Sequence, residues 1–590
     1  MGASAVATAP AGAPAAAGGR AALATLVVLV VLSPWAFGSV DPGPTQAITL
    51  VSLTVALAAL AWDARRGILQ PTPIALWPIA GLWLLAVAQL VPLPQSLHRL
   101  IAPGSAAVWH PELPAAAAAL GPGPRPISLN PEATRRSLAF ATGLLALALV
   151  AATAARERRL LLRAAVAIVA GGVAVALYGV VARLVFTNKL YGIWSVPTVA
   201  PFGPFVNKNH FAGYVELAAL LAVGLATGLA SEARRASGFL GWIEGPRARY
   251  VVVAWGVAAI LILAVPVCLS RGGVVSLAAG IATFAGLRLW SHRSAGLSPR
   301  GLLAIAGGAA LLLVAFVWLL PAEAHERVLS LFGVTAERSG SYRLAVWRDS
   351  LRLAGSSPWL GSGFGAFEDA LLRFKSAAGQ LAVEHAENDP LELLAEGGLA
   401  GVVLVGALVV LVLARGLREA ATERRRLARG LVTGAVAGLV AVAIHSAFDF
   451  NLRIPSNALL CVALVVVVLA MPASATARPP RRLAPILLAL TLAVALFTPW
   501  TTPRVDPGPL MRAERSAESS LRRAGLEADV LSHLHRRPAD AAAWLALAWL
   551  RLPASHDEAA ALANWAVGLD PESQAIRHAH SRLNPRAADR

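Results

Sequence analysis

Long apolar runs recur along the whole chain, and they constrain its fold more than any other feature of the sequence. A transmembrane helix needs about 20 mostly apolar residues, and the 590-residue chain has thirteen runs near that length. They are residues 21–40, 46–62, 73–92, 137–154, 160–186, 211–230, 250–269, 273–290, 301–320, 391–413, 429–447, 456–472 and 483–500. With 57% hydrophobic and only 14% charged residues, the chain lacks the polar surface of a water-soluble protein. The sequence therefore predicts an all-α, polytopic membrane protein with about 13 transmembrane helices.

The positive charge of the chain lies mainly in loops. Its net charge is +18, but the basic residues are spread between the apolar runs, which argues against a nucleic-acid-binding surface. Short cytoplasmic loops retain arginine, and arginines concentrate in alternate connections. They are Arg65 and Arg66; Arg156, Arg158 and Arg159; Arg234, Arg235, Arg247 and Arg249; Arg293 and Arg300; Arg415, Arg418, Arg424, Arg425, Arg426 and Arg429; and Arg478, Arg481 and Arg482. We therefore expect a multi-pass protein of the bacterial inner membrane, with the remaining connections on the periplasmic side.

Composition and charge divide the chain into five segments. We expect a disordered lead over 1–20, helices 1–9 over 21–320, a large periplasmic loop over 321–390, helices 10–13 over 391–500 and a soluble helical tail over 501–590. In the tail, the apolar spacing around Trp544, Leu547 and Trp565, closed by Leu569-Asp570-Pro571, resembles a tetratricopeptide unit. A generic helical hairpin packed on the membrane domain is the alternative. The tail is also a candidate surface for a protein partner.

The first polar cluster lies where one predicted span begins. Its residues are Asn207, Lys208, Asn209 and His210. They supply several hydrogen-bond donors suited to phosphate or sugar hydroxyls, although a helix cap with a snorkelling lysine is also consistent with the pattern.

A second cluster is the short connection Ser270-Arg271-Gly272-Gly273 between two long apolar runs. Because the connection is so short, Arg271 must lie at or just within the membrane face, where an arginine needs an anionic partner or a water-filled cavity. A tight hairpin whose arginine snorkels to the interface is the alternative.

The loop 321–390 is too long for a passive connection in a compact domain. It contains Arg338, Arg343 and Trp347. Arg343 and Trp347 are four residues apart and so share one helix face. An arginine there can bind diphosphate oxygens, and a tryptophan can stack on a sugar or contact a prenyl chain.

The end of this loop brings carboxylates together with an imidazole. The residues are His385, Glu387, Asn388 and Asp389, followed by Glu392 and Glu396 on one face of the next span. Burial can tune such a group into a general base; hydrogen-bonded interfacial residues are the alternative. A smaller polar loop, 445–457, adds Asp449.

Taken together over residues 200–460, these motifs resemble the O-antigen ligase and polymerase superfamily. The resemblance implies a helical, GT-C-like membrane glycosyltransferase that takes a glycan from an undecaprenyl diphosphate carrier on the periplasmic face, without metal or nucleotide sugar. The ligases carry a catalytic His, then Asn, Ser or Gln, then nine residues and Gly-x-x-Gly. Here Asn388, Gly398 and Gly401 fit, but the histidine position holds Glu387, and His385 lies two residues earlier.

These observations give a hypothesis for the mechanism. Glu387 or His385 removes the proton of the acceptor hydroxyl, and a single displacement at the anomeric carbon inverts its configuration. Arg271 and Arg343, aided by Arg338 and Lys208, hold the diphosphate. The residues expected to contact the substrate are Asn207, Asn209, His210, Trp347, Asn388, Asp389 and Asp449.

Three further interpretations stay open at this stage: a transporter of lipid-linked glycans or solutes, a protein O-oligosaccharyltransferase, and a non-catalytic scaffold. The acceptor is equally open between lipid A core, a growing glycan and a protein. Membrane lipid surrounds the chain in each case.

Overall fold

The computed structural model of the protein describes residues 17–65, 76–186, 189–196, 201–244, 248–292, 338–376, 383–470 and 520–583, with 493, 494, 496 and 498. The predicted span 301–320, nearly all of 483–500 and most of the predicted lead lie outside these residues. Each of the other eleven predicted spans has a helix in the structure.

Most of the described residues are helical. In chain order they are α1 Ala17–Leu32, α2 Pro42–Arg65, α3 Leu76–Leu90, α4 Gln95–Ile101, α5 Pro103–Trp109, α6 Pro114–Leu120, α7 Pro131–Ala154, α8 Arg158–Val185, α9 Lys208–Glu244, α10 Ala248–Val267, α11 Arg271–His292, α12 Arg338–Ser356, α13 Phe367–Leu371, α14 Asp389–Thr422, α15 Arg426–His445, α16 Pro455–Leu469, α17 Ser520–Leu534, α18 Ala541–Arg551, α19 His556–Leu569 and α20 Gln574–Leu583. The sheet content of the described residues is one short antiparallel hairpin, β1 Lys189–Leu190 and β2 Trp194–Ser195.

Nine of the described helices are long and apolar enough to cross a membrane: α1, α2, α7, α8, α9, α10, α11, α14 and α15. The helices α3 and α16 are also apolar but shorter. The predicted fold class, an all-α polytopic membrane protein, is confirmed.

Helix α9 is the central element of the bundle. It packs against α8, α10, α11 and α15, and its side chains from Phe211 to Ala222 are almost completely buried. It approaches α15 most closely where Gly224 meets Gly430 and Gly434, because a Cβ at any of the three would overlap the backbone of the other helix. Small residues at such crossings let membrane helices pack backbone to backbone.

The two ends of the bundle differ in composition. At one end, which we call the polar end, the connections after α1, α8, α10 and α15 meet; Tyr191 there donates to the carbonyl of Trp35 at 2.6 Å. At the opposite end Arg158 pairs with Glu232 at 2.6 Å, and Arg426 donates to the carbonyl of Ser231 at 3.1 Å. The arginine-rich connections at Arg158 and Arg426 therefore lie at the end opposite to the polar clusters, as the alternation of loop charge predicts.

Two predicted spans and one predicted loop differ from the structure in their boundaries. The run 21–40 is interrupted, since α1 ends at Leu32 and gives way to short 3₁₀ turns around Pro34, where a proline cannot continue the helix ladder. The span expected from 137 begins at Pro131, because Asn130 caps the helix by accepting from the N–H of Ala133. The connection 93–136 also contains α4, α5 and α6.

The tail helices α17–α20 pack on the polar end. Trp544 at their centre is fully buried, and its core continues into α5, α6, α12 and α13. Arg537 of the tail pairs with Asp369 of α13 at 2.5 Å, and Asn130 donates to the other carboxylate oxygen of Asp369 at 2.7 Å. The tail is therefore joined to the segments that flank the candidate site. Its likeness to a tetratricopeptide unit stays a prediction.

Candidate active site

Four charged or ionisable side chains from four segments meet at the polar end. Arg343 of α12 lies with Nη2 3.2 Å from Glu387 Oε2 and 3.9 Å from Asp449 Oδ2. The other oxygen of Asp449 is 3.3 Å from Nε2 of His210, in the first turn of α9. We call Arg343, Glu387, Asp449 and His210 the Arg343 cluster. It joins the long loop, the start of α9 and the short loop after α15.

Exposure differs across this cluster. Asp449 and His210 are buried, whereas the side chains of Glu387 and Arg343 are 21% and 33% exposed. The cluster is therefore open on the side of Glu387 and Arg343. A substrate that approaches from the polar end can reach those two side chains without displacing the buried pair.

The backbone at Glu387 is unusual. Its φ is +54°, a left-handed conformation that few residues other than glycine adopt. Strained backbone of this kind clusters at functional sites, where the surrounding structure holds it in place. At this position it orients the carboxylate of Glu387 toward Arg343, while the next residue, Asn388, starts α14 as its N-cap.

The pKa values of Glu387 and Asp449 are shifted in opposite directions. Burial and the neighbouring Asp449 carboxylate raise the pKa of Glu387, and the Arg343 guanidinium opposes them only in part. Burial alone would also raise the pKa of Asp449, but His210, His445 and Arg343 outweigh it and lower the pKa to about 2. Two carboxylates with separated pKa values are typical of an acid–base site. Of the two, Glu387 has the raised pKa.

His385, the other candidate base, is held by different partners. Its Nδ1 lies 2.9 Å from Oε1 of Glu392, and its ring stacks on Phe450 at 4.2 Å between centroids. Burial lowers the pKa of His385, but the Glu392 carboxylate more than compensates and the net direction is upward. An imidazole that is stacked and paired in this way is fixed in orientation.

The sequence interpretation of Glu392 and Glu396 as a tuned general base is not supported by their contacts. Arg453 lies 3.3 Å from Glu392 Oε1, 2.7 Å from Glu396 Oε2 and 4.0 Å from Asp389 Oδ1. We call these four residues the Arg453 cluster. The second oxygen of Glu396 accepts the N–H groups of Gly365 and Phe367. The acid pair thus binds a cation and fixes the glycine-rich turn 361–367.

Asn388 and Asp389, which we expect to contact substrate, also have contacts within the protein. Asn388 Oδ1 caps α14 at the N–H of Leu391, and its amide donates to the carbonyl of Ala447 at 2.8 Å. Asp389 is buried and accepts from the N–H of Leu452. Asn207 likewise accepts from the N–H of Asn209. These contacts fix the three side chains in the site, and their contact with substrate stays a prediction.

Three of the remaining predicted residues, Arg271, Lys208 and Arg338, are the first residues of helices. Arg271 is the first residue of α11 and is exposed, and Ser270 beside it donates to Asn209 at 2.9 Å. Lys208 is the first residue of α9 and is half-buried, and Arg338 is the first residue of α12. Trp347 is half-buried, one turn beyond Arg343 on α12.

Sequence reasoning missed three contributors. Phe450 supports both His385 and His210, whose ring lies 4.7 Å away in an edge-on contact. Arg453 is one of many arginines, so its residue type alone carries no signal. The third contributor is Glu216, which pairs with His445 inside the bundle. A lone carboxylate in an apolar span is the signal that could have found it.

The arrangement can bind an anion and accept a proton side by side. Arg343 offers a planar set of donors for phosphate oxygens, and Glu387 next to it can take a proton once its carboxylate is ionised. Among the residues that the structure describes, no group of three or more His, Cys, Asp or Glu side chains is placed to hold a metal ion.

Comparison with known families agrees with the motifs. Residues 256–406 match the family model described as O-antigen ligase, which confirms the resemblance to that superfamily. The matched part contains Arg271, Arg343 and Glu387, whereas His210 and Asp449 lie outside it. No curated protein matches the chain.

Proposed function

We propose that the chain is a membrane glycosyltransferase that transfers or polymerises an undecaprenyl-diphosphate-linked glycan on the periplasmic face. The observation that carries the proposal is the Arg343–Glu387 pair, a cation and a tuned carboxylate 3.2 Å apart at the polar end and within the part that matches the O-antigen ligase family. The polar end is assigned to the periplasm because the arginine-rich connections lie at the other end.

In this mechanism Glu387 acts as the general base. Its ionised carboxylate takes the proton of the acceptor hydroxyl, and the acceptor oxygen forms a bond to the anomeric carbon of the donor sugar. The bond from that carbon to the diphosphate oxygen breaks, and its electron pair leaves with undecaprenyl diphosphate. One displacement of this kind inverts the anomeric configuration.

Cations contribute most to the reaction by stabilising the diphosphate leaving group. Charge develops on the diphosphate as its bond to the sugar breaks, and preorganised cations stabilise that charge. Arg343 and Arg271 are assigned this role, with Lys208 and Arg338 as further cations at neighbouring helix starts. Asn209 and Trp347 remain candidates for contacts to sugar hydroxyls and to a sugar or prenyl face.

Glu387 is preferred to His385 as the base for two reasons. The Glu387 carboxylate faces the most exposed cation of the cluster, where a diphosphate would bind, whereas Nδ1 of His385 is occupied by Glu392. The position of Glu387 also matches the position of the catalytic histidine in the ligase pattern. His385 then serves to position the loop.

The proposal is tested by gene deletion and complementation. We expect deletion to remove a surface or secreted polysaccharide, and wild-type protein to restore it; variants Arg271→Ala, Arg343→Ala and Glu387→Gln should insert in the membrane but not restore it. Arg352→Ala, on the same helix as Arg343, is the matched control because its pair with Asp349 is exposed on the arginine side. Full complementation by all three site variants would contradict the proposal.

The same strains distinguish the acceptors. Loss of long chains from lipopolysaccharide would identify lipid A core, loss of chain length in general would identify a growing glycan, and loss of glycan from a protein would identify an oligosaccharyltransferase. Accumulation of an unprocessed donor on the cytoplasmic side only would instead indicate a transporter. Transfer by purified protein in the presence of EDTA tests whether the reaction is independent of metal.

A further inference from the structure

A second ionisable group lies inside the helix bundle, beneath the Arg343 cluster. Glu216 of α9 and His445 of α15 are 0% and 1% exposed, and Oε1 of Glu216 lies 3.1 Å from Nδ1 of His445. Ser276 of α11 donates to Oε2 of Glu216 at 2.6 Å. Three membrane-spanning helices therefore converge on one carboxylate. Such groups are costly inside a membrane protein and mark functional sites.

The pairing determines which nitrogen of His445 remains available. Nδ1 of His445 faces the Glu216 carboxylate at 3.1 Å, so Nε2 is the ring nitrogen that remains for another partner. That Nε2 is buried and has no hydrogen-bond partner in the described part of the chain. A buried donor without an acceptor is unfavourable unless a ligand supplies one.

Nε2 of His445 lies against the beginning of α11. A Cβ built on Gly272 would be only 3.1 Å from it, so glycine at this position lets the imidazole reach the first turn of the helix. The N-terminus of a 22-residue helix such as α11 favours anions through its dipole and N–H groups. The neighbouring residue is Arg271, which the proposed function assigns to the diphosphate.

We propose that His445 and Glu216 belong to the donor site: His445 Nε2–H binds a phosphate oxygen of a prenyl diphosphate at the start of α11, and Glu216 positions the imidazole. The inference rests on the proposed function and adds to it two residues inside the membrane bundle. His445 contacts the ligand, and Glu216 acts through His445.

The test is the affinity of the full chain in lipid nanodiscs for farnesyl diphosphate, measured by calorimetry. His445→Leu should raise Kd about 10- to 100-fold, the loss expected for one hydrogen bond to a charged group. Tyr214→Phe is the matched control because it removes another buried hydrogen bond from α9, at 2.8 Å to the carbonyl of Val30. Its Kd should stay within twofold of wild type.

The positioning role of Glu216 requires a separate readout. Glu216→Gln should weaken binding of farnesyl diphosphate, but in a His445→Leu background it should cause no further loss. If His445→Leu does not fold, His445→Gln keeps a donor of similar length without the positive charge, and its Kd should rise about tenfold.

Two negative outcomes have different meanings. If wild type binds farnesyl diphosphate and the folded His445 variants bind it equally well, the role of His445 is wrong while the proposed function stands. If wild type does not bind farnesyl diphosphate, this inference is wrong, and the proposed function fails as well only if Arg271→Ala, Arg343→Ala and Glu387→Gln all complement fully.

Discussion

The Arg343 cluster and the Arg453 cluster each combine one arginine with Asp and Glu carboxylates, and both use residues around the start of α14 and from the loop after α15, yet they have different environments. In the Arg453 cluster the carboxylates of Glu392 and Glu396 are 2% and 1% exposed, and backbone N–H groups bind them. In the Arg343 cluster the Glu387 carboxylate is 21% exposed and faces a side chain that is itself one-third exposed. A carboxylate bound by backbone donors fixes the fold, whereas one at an opening remains available for chemistry.

The same contrast separates the two candidate bases. His385 pairs with Glu392 of the Arg453 cluster, whereas Glu387 pairs with Arg343. The two residues are only two positions apart in the sequence. The left-handed backbone at Glu387 is what separates them. Substitutions in the two clusters should therefore affect different measurements.

The largest effect is expected for Glu387→Gln. The amide keeps the size of the side chain but cannot accept the proton of the acceptor, so glycan transfer should fall about 10²- to 10⁴-fold, the usual contribution of a general base. Thermal unfolding of the purified protein should change little, because Glu387 is partly exposed. Transfer by purified protein from a lipid-linked donor measures the first quantity.

For Arg453→Met we expect a large loss of stability, the property that Glu387→Gln should leave nearly unchanged. Removing this cation leaves Glu392, Glu396 and Asp389 without their shared partner, and breaking such a pair costs about 3 to 5 kcal/mol. The folded fraction and the unfolding temperature in nanodiscs should therefore fall sharply. If Arg453→Met were as stable as wild type but inactive, the Arg453 cluster would serve the reaction rather than the stability of the fold, and the assignment would be wrong.

Residue types predicted the Arg343 cluster better than the Arg453 cluster. His210, Glu387 and Asp449 were selected from the sequence because each is a polar residue next to the end of an apolar run, and Arg343 was selected because it lies in the long loop, four residues before Trp347. Arg453 was missed because the chain is rich in arginine. Only the return of the loop after α15 against the start of α14 shows which arginine faces the acids.

The sequence also predicted part of the fold, namely the membrane spans, but not all of their boundaries or the packing of the tail. Apolar length predicted the described spans, since a helix is the one structure that satisfies its own backbone in lipid. Two boundaries moved for local reasons: α1 ends before Pro34, and Asn130 caps α7 ahead of its apolar run. The packing of the tail on α13 depends on contacts such as that between Arg537 and Asp369, which no local pattern encodes.

A smaller effect is expected for the pH dependence of Asp449→Asn. The pKa of Glu387 is raised, so transfer by wild type should be lost on acidification at a pH above the range where an ordinary glutamate titrates. Asp449 is one cause of that rise and stays ionised because its own pKa is about 2. Removing its charge lowers the pKa of Glu387, so the acid limb of kcat/KM should move to lower pH.

Glu387→Asp is the control for this measurement, since it keeps a titrating base and should keep an acid limb. An acid limb of Asp449→Asn that coincides with the wild-type limb would mean that a group other than Glu387 controls the rate.

The smallest effect is expected for His385→Asn. Asparagine keeps a donor for Glu392 but loses the stacking on Phe450, so stability should fall by about 1 kcal/mol. Glycan transfer should fall less than tenfold if His385 only positions the loop. A loss of transfer as large as that of Glu387→Gln would indicate that His385, rather than Glu387, is the general base.

The central claim is that the Arg343–Glu387 pair transfers a glycan from an undecaprenyl diphosphate carrier. The most direct measurement is a reaction of the purified chain in nanodiscs with a defined lipid-linked donor, in which released undecaprenyl diphosphate and the anomeric configuration of the product are both determined. We predict one released carrier for each glycan transferred, inversion at the anomeric carbon, and neither product with Glu387→Gln or Arg343→Ala. Transfer with retained configuration, or wild-type rates from both variants, would contradict the account.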